Sequence, residues 1–240
     1  MYLISIVLPC YNEYKSLPIL LNKAYYITDN YPIQIVFLNN GSTDGTQEYF
    51  ENQKEHKGIV FAKLDKNKGY GFGLKYAIKF CEGEYIGWTH ADLQTDLFDI
   101  VRAFEAIKKY NLKNNLNDRL IIKGIRYARP FSEMITSVGM SLISRVLFFP
   151  KPIYEINAQP SLFHKTFLNL IDSGPDDYGL DIYVFVNCFF KNTKVLRIPV
   201  LFPERQFGLS HWNTNFFAKL SLIKKQFLLL IKIFIFNLKF

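Results

Sequence analysis

The chain of 240 residues is 49% hydrophobic and 21% charged, and it carries a formal net charge of +8. This composition excludes a disordered chain, and the length suits one globular domain or one domain with an appendage. The positive charge favours anionic partners such as nucleotides or phospholipid headgroups, but the basic residues do not form the aromatic-interleaved patch that nucleic-acid binding requires.

The N-terminus and the cysteines indicate a protein of a reducing compartment. Met1–Pro9 has neither the basic region nor the cleavage site of a signal peptide, so we expect a first strand there. Cys10, Cys81 and Cys188 are too widely spaced for a disulfide framework or a zinc site. We therefore expect buried thiols and a cytoplasmic location.

Short β-rich runs alternate with helical patterns, which predicts an α/β fold with a mostly parallel sheet and helices on both faces. Ligands bind such sheets at the carboxyl ends of the strands, where polar residues of this chain lie. The predicted strands are Leu3–Leu8, Gln34–Leu38, Ile59–Lys63, Tyr85–Thr89, Leu120–Lys123 and Lys194–Leu201. The predicted helices are a segment around Leu17–Ala24, Gly73–Phe80, Leu97–Tyr110 with Asp96 as its N-cap, and the apolar Phe131–Phe149.

The first two polar clusters suit a nucleoside. Pro9 is expected to end the first strand, so that Tyr11 can stack on a base and Glu13 can accept from base or ribose donors. After the second strand, the Asn40 amide can pair with a base edge, and Asp44 can fix the turn or cap the next helix. Each cluster alone is equally typical of an ordinary strand-to-helix turn.

The glycine-rich segment Asn67–Gly73 precedes a predicted helix, but it lacks the spacing of a P-loop or of a dinucleotide-binding loop. Two interpretations stay open at this point. The glycines allow the backbone to approach a ligand closely, or they form an ordinary turn.

The segment His90–Gln94, at the end of a predicted strand, is the candidate metal site. Asp92 and Gln94 are two residues apart in extended chain and therefore point the same way. Carboxylate and amide oxygens suit Mg²⁺ or Mn²⁺, which also bind diphosphate oxygens. His90 would add a nitrogen ligand, bond to a phosphate or only fill space.

Arginines follow the strands at two further places. Arg126 and Arg129 come after the fifth predicted strand, and Arg205 lies far down the chain. Guanidinium groups bind phosphate oxygens in a bidentate geometry. Two such groups in strand-end loops favour binding of a diphosphate or of an acceptor phosphate.

Asp176, Asp177 and Asp181 cluster after Gly174. An acceptor that reacts through a hydroxyl group would need such a carboxylate as its general base. The alternative is an ordinary acidic helix start, which the helix dipole stabilises.

The tail from Asn215 to Phe240 is apolar and contains lysines but no acidic residue. Gln226–Leu238 would span roughly 20 Å as a helix, whereas a bilayer core is about 30 Å thick. We therefore expect a helix that lies in a membrane interface without crossing it. The alternative is a terminal helix that docks on the domain or on a second subunit, which leaves an oligomer open.

These motifs occur in an order that resembles the family 2 glycosyltransferases of GT-A fold, in particular the dolichol- or polyprenyl-phosphate sugar synthase branch. The resemblance runs from about Leu3 to Asn213, so we expect a catalytic domain at 1–213 and a separate helix at 214–240. The motifs are Pro9-x-Tyr11-Asn12-Glu13, Asn40-Gly41-Ser42-Thr43-Asp44, Asn67-x-Gly69, His90-Ala91-Asp92-Leu93-Gln94, Gly124-x-Arg126, Ile156-Asn157-Ala158-Gln159-Pro160 and Arg205-x-x-Gly208-x-Ser210.

The resemblance implies inverting transfer of a sugar from a UDP- or GDP-sugar, with Mg²⁺ or Mn²⁺, by a peripheral protein at the cytoplasmic membrane face. It also implies roles for single residues. Pro9, Tyr11, Glu13 and Asn40 would hold the nucleoside; Asp92 and Gln94, with His90 and Ala91 beside them, would hold the metal and the diphosphate; and Arg126, Arg205 and His211 would bind phosphates.

This chain departs from the family pattern at two places. Asn39-Asn40 stands where the family usually has two aspartates, and His90-x-Asp92 stands where it usually has Asp-x-Asp. The first change replaces a carboxylate with an amide, which is both a donor and an acceptor. The second removes one negative charge near the metal.

Three functions remain open from the sequence. A polyprenyl phosphate acceptor is already an anion and needs no general base. A glycan hydroxyl as acceptor would need Asp177 as base. The departures at Asn39-Asn40 and His90 also leave room for a non-catalytic subunit that binds a nucleotide sugar.

Overall fold

A seven-stranded sheet organises the computed structural model, which describes residues 1–114, 120–128, 153–191, 193–203 and 216–237. The strand order is β3-β2-β1-β4-β6-β5-β7. β6 runs antiparallel to both of its neighbours, and the other adjacent pairs are parallel. The strands are β1 Ile4–Cys10, β2 Ile33–Asn40, β3 Ile59–Leu64, β4 Tyr85–Trp88, β5 Leu120–Tyr127, β6 Ser161–His164 and β7 Lys194–Leu201.

Helices cover both faces of this sheet, so the predicted α/β class is confirmed. The helices are α1 Leu17–Asn30, α2 Thr46–Glu51, α3 Tyr70–Ile78, α4 Asp99–Lys113, α5 Leu168–Asp172, α6 Leu180–Phe190 and α7 Phe216–Asn237, with a 3₁₀ turn at Lys165–Phe167. The predicted helix Phe131–Phe149 lies outside the described residues.

Alternate residues of each strand enter two separate cores. On the first face, Ile6 and Leu8 of β1 pack with side chains of α1 and α4, such as Leu20 and Ile100. On the second face, strand residues pack with side chains of α3, α6 and α7. The first face is thus the side of the sheet that α1 and α4 cover, and the second face is the side that α3, α6 and α7 cover.

The sequence predicted that Pro9 ends β1, and this prediction is wrong. The strand pairs with β4 only as far as Val7, but it continues beside β2 to Cys10, with Pro9 opposite Leu38. Proline lacks an N–H group, and it stands where β4 no longer runs alongside, so no bond to β4 is lost.

Asp96 is not the N-cap of α4, because the helix begins two residues later than predicted and Phe98 occupies that position. The Asp96 carboxylate accepts the Phe98 N–H at 3.2 Å and pairs with Lys23 at 2.8 Å. It therefore orders the turn before the helix and ties that turn to α1.

The C-terminal helix α7 docks on the second face. Leu230 and Ile233 are buried there, and α7 packs along α6. This observation favours docking on the domain for that side of the helix. In the part of the chain that is described, no helix has the length and apolarity needed to cross a membrane.

The three cysteines are free; Cys10 and Cys188 are buried and Cys81 is half-buried. Burial raises the pKa of Cys81 to about 12 and that of Cys10 well above its usual value. The prediction of buried thiols is therefore confirmed for Cys10 and Cys188.

Candidate functional site

The candidate site lies at one edge of the sheet, where the carboxyl ends of β1, β2, β4, β5 and β7 meet. β6 is antiparallel, so it begins at this same edge. Polar residues predicted from five separate motifs are therefore brought to one side of the molecule, as expected for a parallel α/β sheet.

The loops after β1 and β2 are tied together by hydrogen bonds from side chain to backbone. Asn12, in the left-handed conformation at φ 58°, accepts the Thr43 N–H at 2.8 Å through Oδ1. The Asn12 N–H donates to Ser42 Oγ at 3.0 Å, and the Tyr14 N–H donates to Asp44 Oδ2 at 3.1 Å. Asp44 therefore fixes the turn, and the pair of loops frames the half-exposed Tyr11.

Glu13 is only 8% exposed, and its Oε2 accepts a hydrogen bond from Ser16 Oγ at 3.2 Å. The carboxylate thus orders the start of α1. The contact of Glu13 with a nucleoside stays a prediction.

The amides at Asn39 and Asn40 perform tasks that aspartates cannot. Asn39 Nδ2 donates to Gln47 Oε1 at 2.7 Å, and its Oδ1 accepts the Ser42 N–H at 2.8 Å. Asn40 Nδ2 donates to the Gly69 carbonyl at 3.3 Å. A carboxylate has no proton to donate, so these contacts account for the departure from the family pattern.

The side-chain oxygen of Asn40 accepts no hydrogen bond from the described part of the chain. Its Oδ1 is buried and has no hydrogen-bond partner within the described part of the chain. A buried acceptor of this kind costs about 1–3 kcal/mol when it stays unpaired. The geometry therefore fits the predicted pairing of Asn40 with a donor group of a base.

The glycine-rich segment serves contact between two parts of the chain. The Phe72 N–H donates to the Asp176 carbonyl at 3.0 Å. A Cβ on Gly71 would lie 2.4 Å from the Pro175 carbonyl oxygen, which is shorter than any real contact. The glycines let the start of α3 approach the loop before α6, which favours the turn interpretation over a phosphate-binding loop.

The predicted metal residues form a tight turn after β4, so the prediction that Asp92 and Gln94 lie in extended chain is wrong. Leu93 is in the left-handed conformation at φ 63°, and the Gln94 N–H donates to Asp92 Oδ1 at 3.1 Å. Gln94 Nε2 donates to the Pro203 carbonyl at 3.4 Å, so this turn is attached to the end of β7. The His90 ring contacts the Phe202 ring edge-on at 5.9 Å.

This turn supplies a small set of hard donors. Asp92 contributes a carboxylate and Gln94 an amide oxygen, both of which suit Mg²⁺ or Mn²⁺. In the described ranges, no three His, Cys, Asp or Glu side chains come together as a metal cluster. Asp92 and Gln94 therefore fit a cation that takes its remaining ligands from a diphosphate. The His90 ring packs against Phe202.

Arg126 lies at the end of β5 on the same edge. Its Nε donates to Glu155 Oε2 at 2.9 Å, and its guanidinium lies over the Phe202 ring at 5.2 Å. The sequence did not indicate Glu155, whose left-handed backbone at φ 49° turns its carboxylate onto the arginine. A phosphate at Arg126 would bind a guanidinium that is already oriented.

A buried polar cluster lies on the second face beneath the site. Asp181 is 5% exposed and accepts the Trp88 indole N–H at 2.8 Å. Lys123 is fully buried and donates to Ser161 Oγ, which in turn lies 3.5 Å from Asp181 Oδ1. Burial lowers the pKa of Lys123 to about 7, although Asp181 partly opposes the shift.

The three aspartates that the sequence grouped as base candidates have separate roles. Asp181 is part of this cluster, and its Oδ1 accepts the Trp88 indole N–H. Asp176 pairs with Lys75 at 2.7 Å. Asp177 is exposed, and its Oδ1 accepts the Gly179 N–H at 2.8 Å, which orders the start of α6. Asp176 and Asp177 are both exposed, and of these two Asp176 is paired with Lys75.

Three residues assigned by the sequence cannot be placed. Arg129, Arg205 and His211 lie outside the described residues. The site as described therefore consists of the nucleoside side around Asn40, the metal turn at Asp92, and Arg126 with Glu155.

A family model described as Glycosyl transferase family 2 matches residues 5–167. This match covers more than half of the chain and extends from β1 to the 3₁₀ turn after β6. It includes Tyr11, Asn40, Asp92 and Arg126, so the motifs behind the resemblance lie within the matched region, except for Arg205-x-x-Gly208-x-Ser210.

Curated relatives match the chain over shorter stretches. An undecaprenyl-phosphate 4-deoxy-4-formamido-L-arabinose transferase of Aeromonas hydrophila is 31% identical over 110 residues, covering 43% of this chain and 33% of that protein. A dolichyl-phosphate beta-glucosyltransferase of Dictyostelium discoideum is 29% identical over 124 residues, covering 47% of this chain and 37% of that protein. The matches thus span about a third of the length of these relatives.

Solved structures resemble the chain over nearly its whole length. A mannosyltransferase from Pyrobaculum calidifontis, in complex with GDP-mannose and Mn²⁺, has a TM-score of 0.62 at 16% identity, covering 94% of this chain and 61% of that chain. A glucosyl-3-phosphoglycerate synthase from Mycobacterium tuberculosis, in complex with UDP, has a TM-score of 0.67 at 15% identity, covering 96% and 79%. At such identities the likeness concerns the fold, and it agrees with the predicted GT-A type.

Proposed function

Because the chain belongs to glycosyl transferase family 2, we propose that it transfers a sugar from a UDP- or GDP-sugar to a polyprenyl phosphate, with inversion at the anomeric carbon. One observation carries this proposal. Asp92 and Arg126, from the ends of two different strands, lie at the same sheet edge on either side of the start of β6. A diphosphate is the group that such a pair suits.

The residues of the donor site would divide the nucleotide sugar between them. Tyr11 and Asn40 would hold the base, since an aromatic ring can stack on it and the free Asn40 Oδ1 can accept from it. Arg126 would bind a phosphate oxygen while Glu155 keeps its guanidinium in place. Arg205 and His211 are proposed to add phosphate contacts.

Asp92 and Gln94 would hold Mg²⁺ or Mn²⁺ against the diphosphate. When bound, the divalent cation supplies electrostatic stabilisation of the negative charge that develops on the leaving nucleotide diphosphate. The Gln94 N–H donates to Asp92 Oδ1 and thereby restrains the carboxylate within this turn. The Mn²⁺ of the Pyrobaculum enzyme supports a divalent cation at Asp92 and Gln94. The relatives' use of lipid phosphates supports the same type of transfer reaction.

A polyprenyl phosphate is the acceptor that the aspartates favour. A phosphate acceptor is already an anion and needs no general base, and Asp181 is buried while Asp176 pairs with Lys75. The curated relatives are named as transferases to undecaprenyl and dolichyl phosphate, which supports the same acceptor class. Asp177, exposed at the start of α6, supports the second candidate, transfer to a glycan hydroxyl with Asp177 as general base.

The outer side of α7 would rest in the membrane interface that contains the lipid acceptor. Opposite its docked side, the helix exposes Lys224, Lys225 and Lys232 together with Leu228 and Ile235. Lysines beside exposed apolar side chains suit anionic headgroups and the acyl boundary below them. The domain at 1–213 would thereby be held peripherally at the cytoplasmic face.

The test is a transfer assay with the purified full chain, radiolabelled UDP- and GDP-sugars, undecaprenyl phosphate in detergent, and Mg²⁺ or Mn²⁺. We expect label in the lipid fraction from one donor, dependence on the cation, and a loss of at least about 100-fold in Asp92→Asn. Asp172→Asn, an exposed aspartate at the end of α5, is the matched control and should keep full activity.

The alternatives give different results in this assay. Label that enters only a soluble glycan, and that is lost in Asp177→Asn, would replace the lipid acceptor with a hydroxyl acceptor. Binding of a nucleotide sugar without transfer to either acceptor would instead identify a non-catalytic binding subunit.

A further inference from the structure

Gln159 lies in the stretch that leads into β6, at the edge that carries the candidate site. Ser161, the first residue of β6, pairs with the last residue of β4 and with Lys123 of β5. β6 is antiparallel to both strands, so residues before Ser161 lie level with the loops that carry Asp92 and Arg126. Gln159 is therefore placed between the two residues proposed to bind the diphosphate.

The backbone at Gln159 is fixed by close packing. The Gly124 N–H donates to the Pro160 carbonyl at 3.1 Å. A Cβ on Gly124 would lie 2.3 Å from the Gln159 carbonyl oxygen, so only glycine allows this approach. Gly124 of the Gly124-x-Arg126 motif thus allows the Gln159 backbone to pack closely against β5 at the edge of the sheet.

The orientation of the Gln159 amide follows from the hydrogen bonds around it. Burial and the nearby Asp181 carboxylate raise the pKa of the Tyr70 hydroxyl, which therefore keeps its proton; because a carboxylate can only accept, that proton is directed towards Asp181. Towards Gln159 the hydroxyl can then only accept, and Gln159 Nε2 donates to it at 2.8 Å. The Gln159 Oε1 atom must therefore face away from Tyr70.

That oxygen has nothing to bind within the described residues. Gln159 is 4% exposed, and its Oε1 is buried without a hydrogen-bond partner. Unpaired buried acceptors are rare because each has lost its hydrogen bonds to water without a replacement. Here Asp181 and Tyr70 keep the Gln159 amide in this orientation, since rotation of the amide would place Gln159 Oε1 against the Tyr70 hydroxyl oxygen.

We propose that Gln159 Oε1 accepts a hydrogen bond from a hydroxyl group of the transferred sugar and thereby selects which sugar is transferred. The inference rests on the proposed function, because the sugar is the group attached directly to the diphosphate between Asp92 and Arg126. Asp181 and Tyr70 act through Gln159 as positioning residues. A sugar that lacks this hydroxyl, or holds it in the opposite configuration, leaves Oε1 unpaired.

The test compares the donor selected by the transfer assay with analogues that each lack one ring hydroxyl. In the wild type, loss of one particular hydroxyl should lower kcat/KM by about 10- to 100-fold. Gln159→Leu should lower kcat/KM for the parent donor by a similar factor. Within this variant, kcat/KM for that same analogue should be less than about 3-fold below kcat/KM for the parent donor. Its affinity for UDP or GDP with Mn²⁺ should stay at the wild-type value.

Tyr70→Phe provides a second variant in case Gln159→Leu does not fold. It keeps the ring that stacks on Tyr178 at 5.0 Å and removes only the hydroxyl that orients the amide. We expect weaker discrimination between the parent donor and the critical analogue, with unchanged nucleotide affinity. The wild-type analogue series can overturn the inference even without either variant, if it transfers every analogue as well as the parent donor.

The inference is overturned if every analogue is transferred as well as the parent donor, or if the critical analogue is penalised equally in wild type and variants. Either result leaves nucleotide-sugar transfer itself intact. If no nucleotide sugar is bound or transferred at all, the proposed function fails, and this inference fails with it.

Discussion

Ile122 and Lys123 are neighbours in β5, but their side chains enter two different cores. Ile122 joins the aliphatic cluster beneath α1 and α4 on the first face. Lys123 enters the second face, where Ser161 and Asp181 share its buried polar environment. The first face holds the sheet together through apolar packing, whereas the second face also bears the polar cluster that supports the candidate site.

This difference shows where the molecule combines folding with function. Buried charge is costly unless it is paired and hydrogen-bonded. The cluster on the second face joins α3, β4, β5, β6 and α6, and it lies directly beneath the residues that would face the sugar and the acceptor. We infer that its cost is retained because it orients Gln159 and the start of α6.

Asp181→Asn should show the largest effect on stability. The amide would leave the Trp88 and Tyr70 donors poorly matched and Lys123 without its counter-charge, so we expect a loss of about 3 kcal/mol in the free energy of unfolding. Urea denaturation measures it. Asp176→Asn, on the exposed loop just before α6, is the control and should change stability by about 1 kcal/mol or less. Equal effects of the two variants would contradict a supporting role for the cluster.

Asn40→Asp restores the residue that is usual in the family and should nevertheless destabilise this chain. The carboxylate cannot donate to the Gly69 carbonyl, so we expect a loss of about 1–2 kcal/mol by the same denaturation experiment. Thr43→Ala on the neighbouring exposed loop serves as control, since its side chain makes only a 3.4 Å contact with Asn12. An increase in stability for Asn40→Asp would show that the amide is not a structural requirement.

Lys123 should make the stability of the second face depend on pH between about pH 7 and pH 10.5. Its pKa falls from 10.5 to about 7 on folding, chiefly through burial, with Arg197 and Arg126 adding to the shift and Asp181 and Glu155 opposing it. Between these values the unfolded chain holds a proton that the folded chain has released, so stability rises with pH across this window. The slope from this one group is at most about 1.4 kcal/mol per pH unit.

Lys123→Met should remove that slope, whereas Ile122→Val should keep it. The measurement is the free energy of unfolding at pH 7 and pH 9 for the wild type and both variants. If Lys123→Met gains as much stability as the wild type over this interval, then Lys123 is not a buried group that titrates near neutral pH.

The exposed lysines of α7 should have the smallest effect on folding. Replacing Lys224 and Lys225 with serine should change the free energy of unfolding by less than about 0.5 kcal/mol. The same double variant should bind anionic phosphatidylserine vesicles more weakly, by about 1 kcal/mol per lysine, in a sedimentation assay. Unchanged vesicle binding would argue that this side of the helix does not meet a membrane.

The sequence predicts the first face and the sheet edge well. Short apolar runs locate β1, β2, β3 and β7 closely, and polar residues after the strands predict the edge at which we propose that the donor binds. These signals are local, because the period of the side chains and the turn chemistry lie within a few residues of each other.

The second face could not be predicted in the same way. Whether Lys123 and Asp181 are buried depends on α6 and α7, which come from distant parts of the chain. The antiparallel β6 is only four residues long, and no local pattern indicates which strands it joins. The left-handed turns at Leu93 and Glu155 that aim Asp92 and pair Arg126 were equally hidden, because such backbone angles in residues other than glycine are set by tertiary contacts.

The most direct test of the account is calorimetry of UDP- and GDP-sugar binding with and without saturating Mn²⁺ or Mg²⁺, in the wild type and in Asp92→Ala. We predict that the cation tightens binding of one nucleotide sugar by at least about 10-fold in the wild type and has no effect in the folded variant. An affinity that ignores the cation, or an Asp92→Ala variant that binds like the wild type, would contradict the central claim.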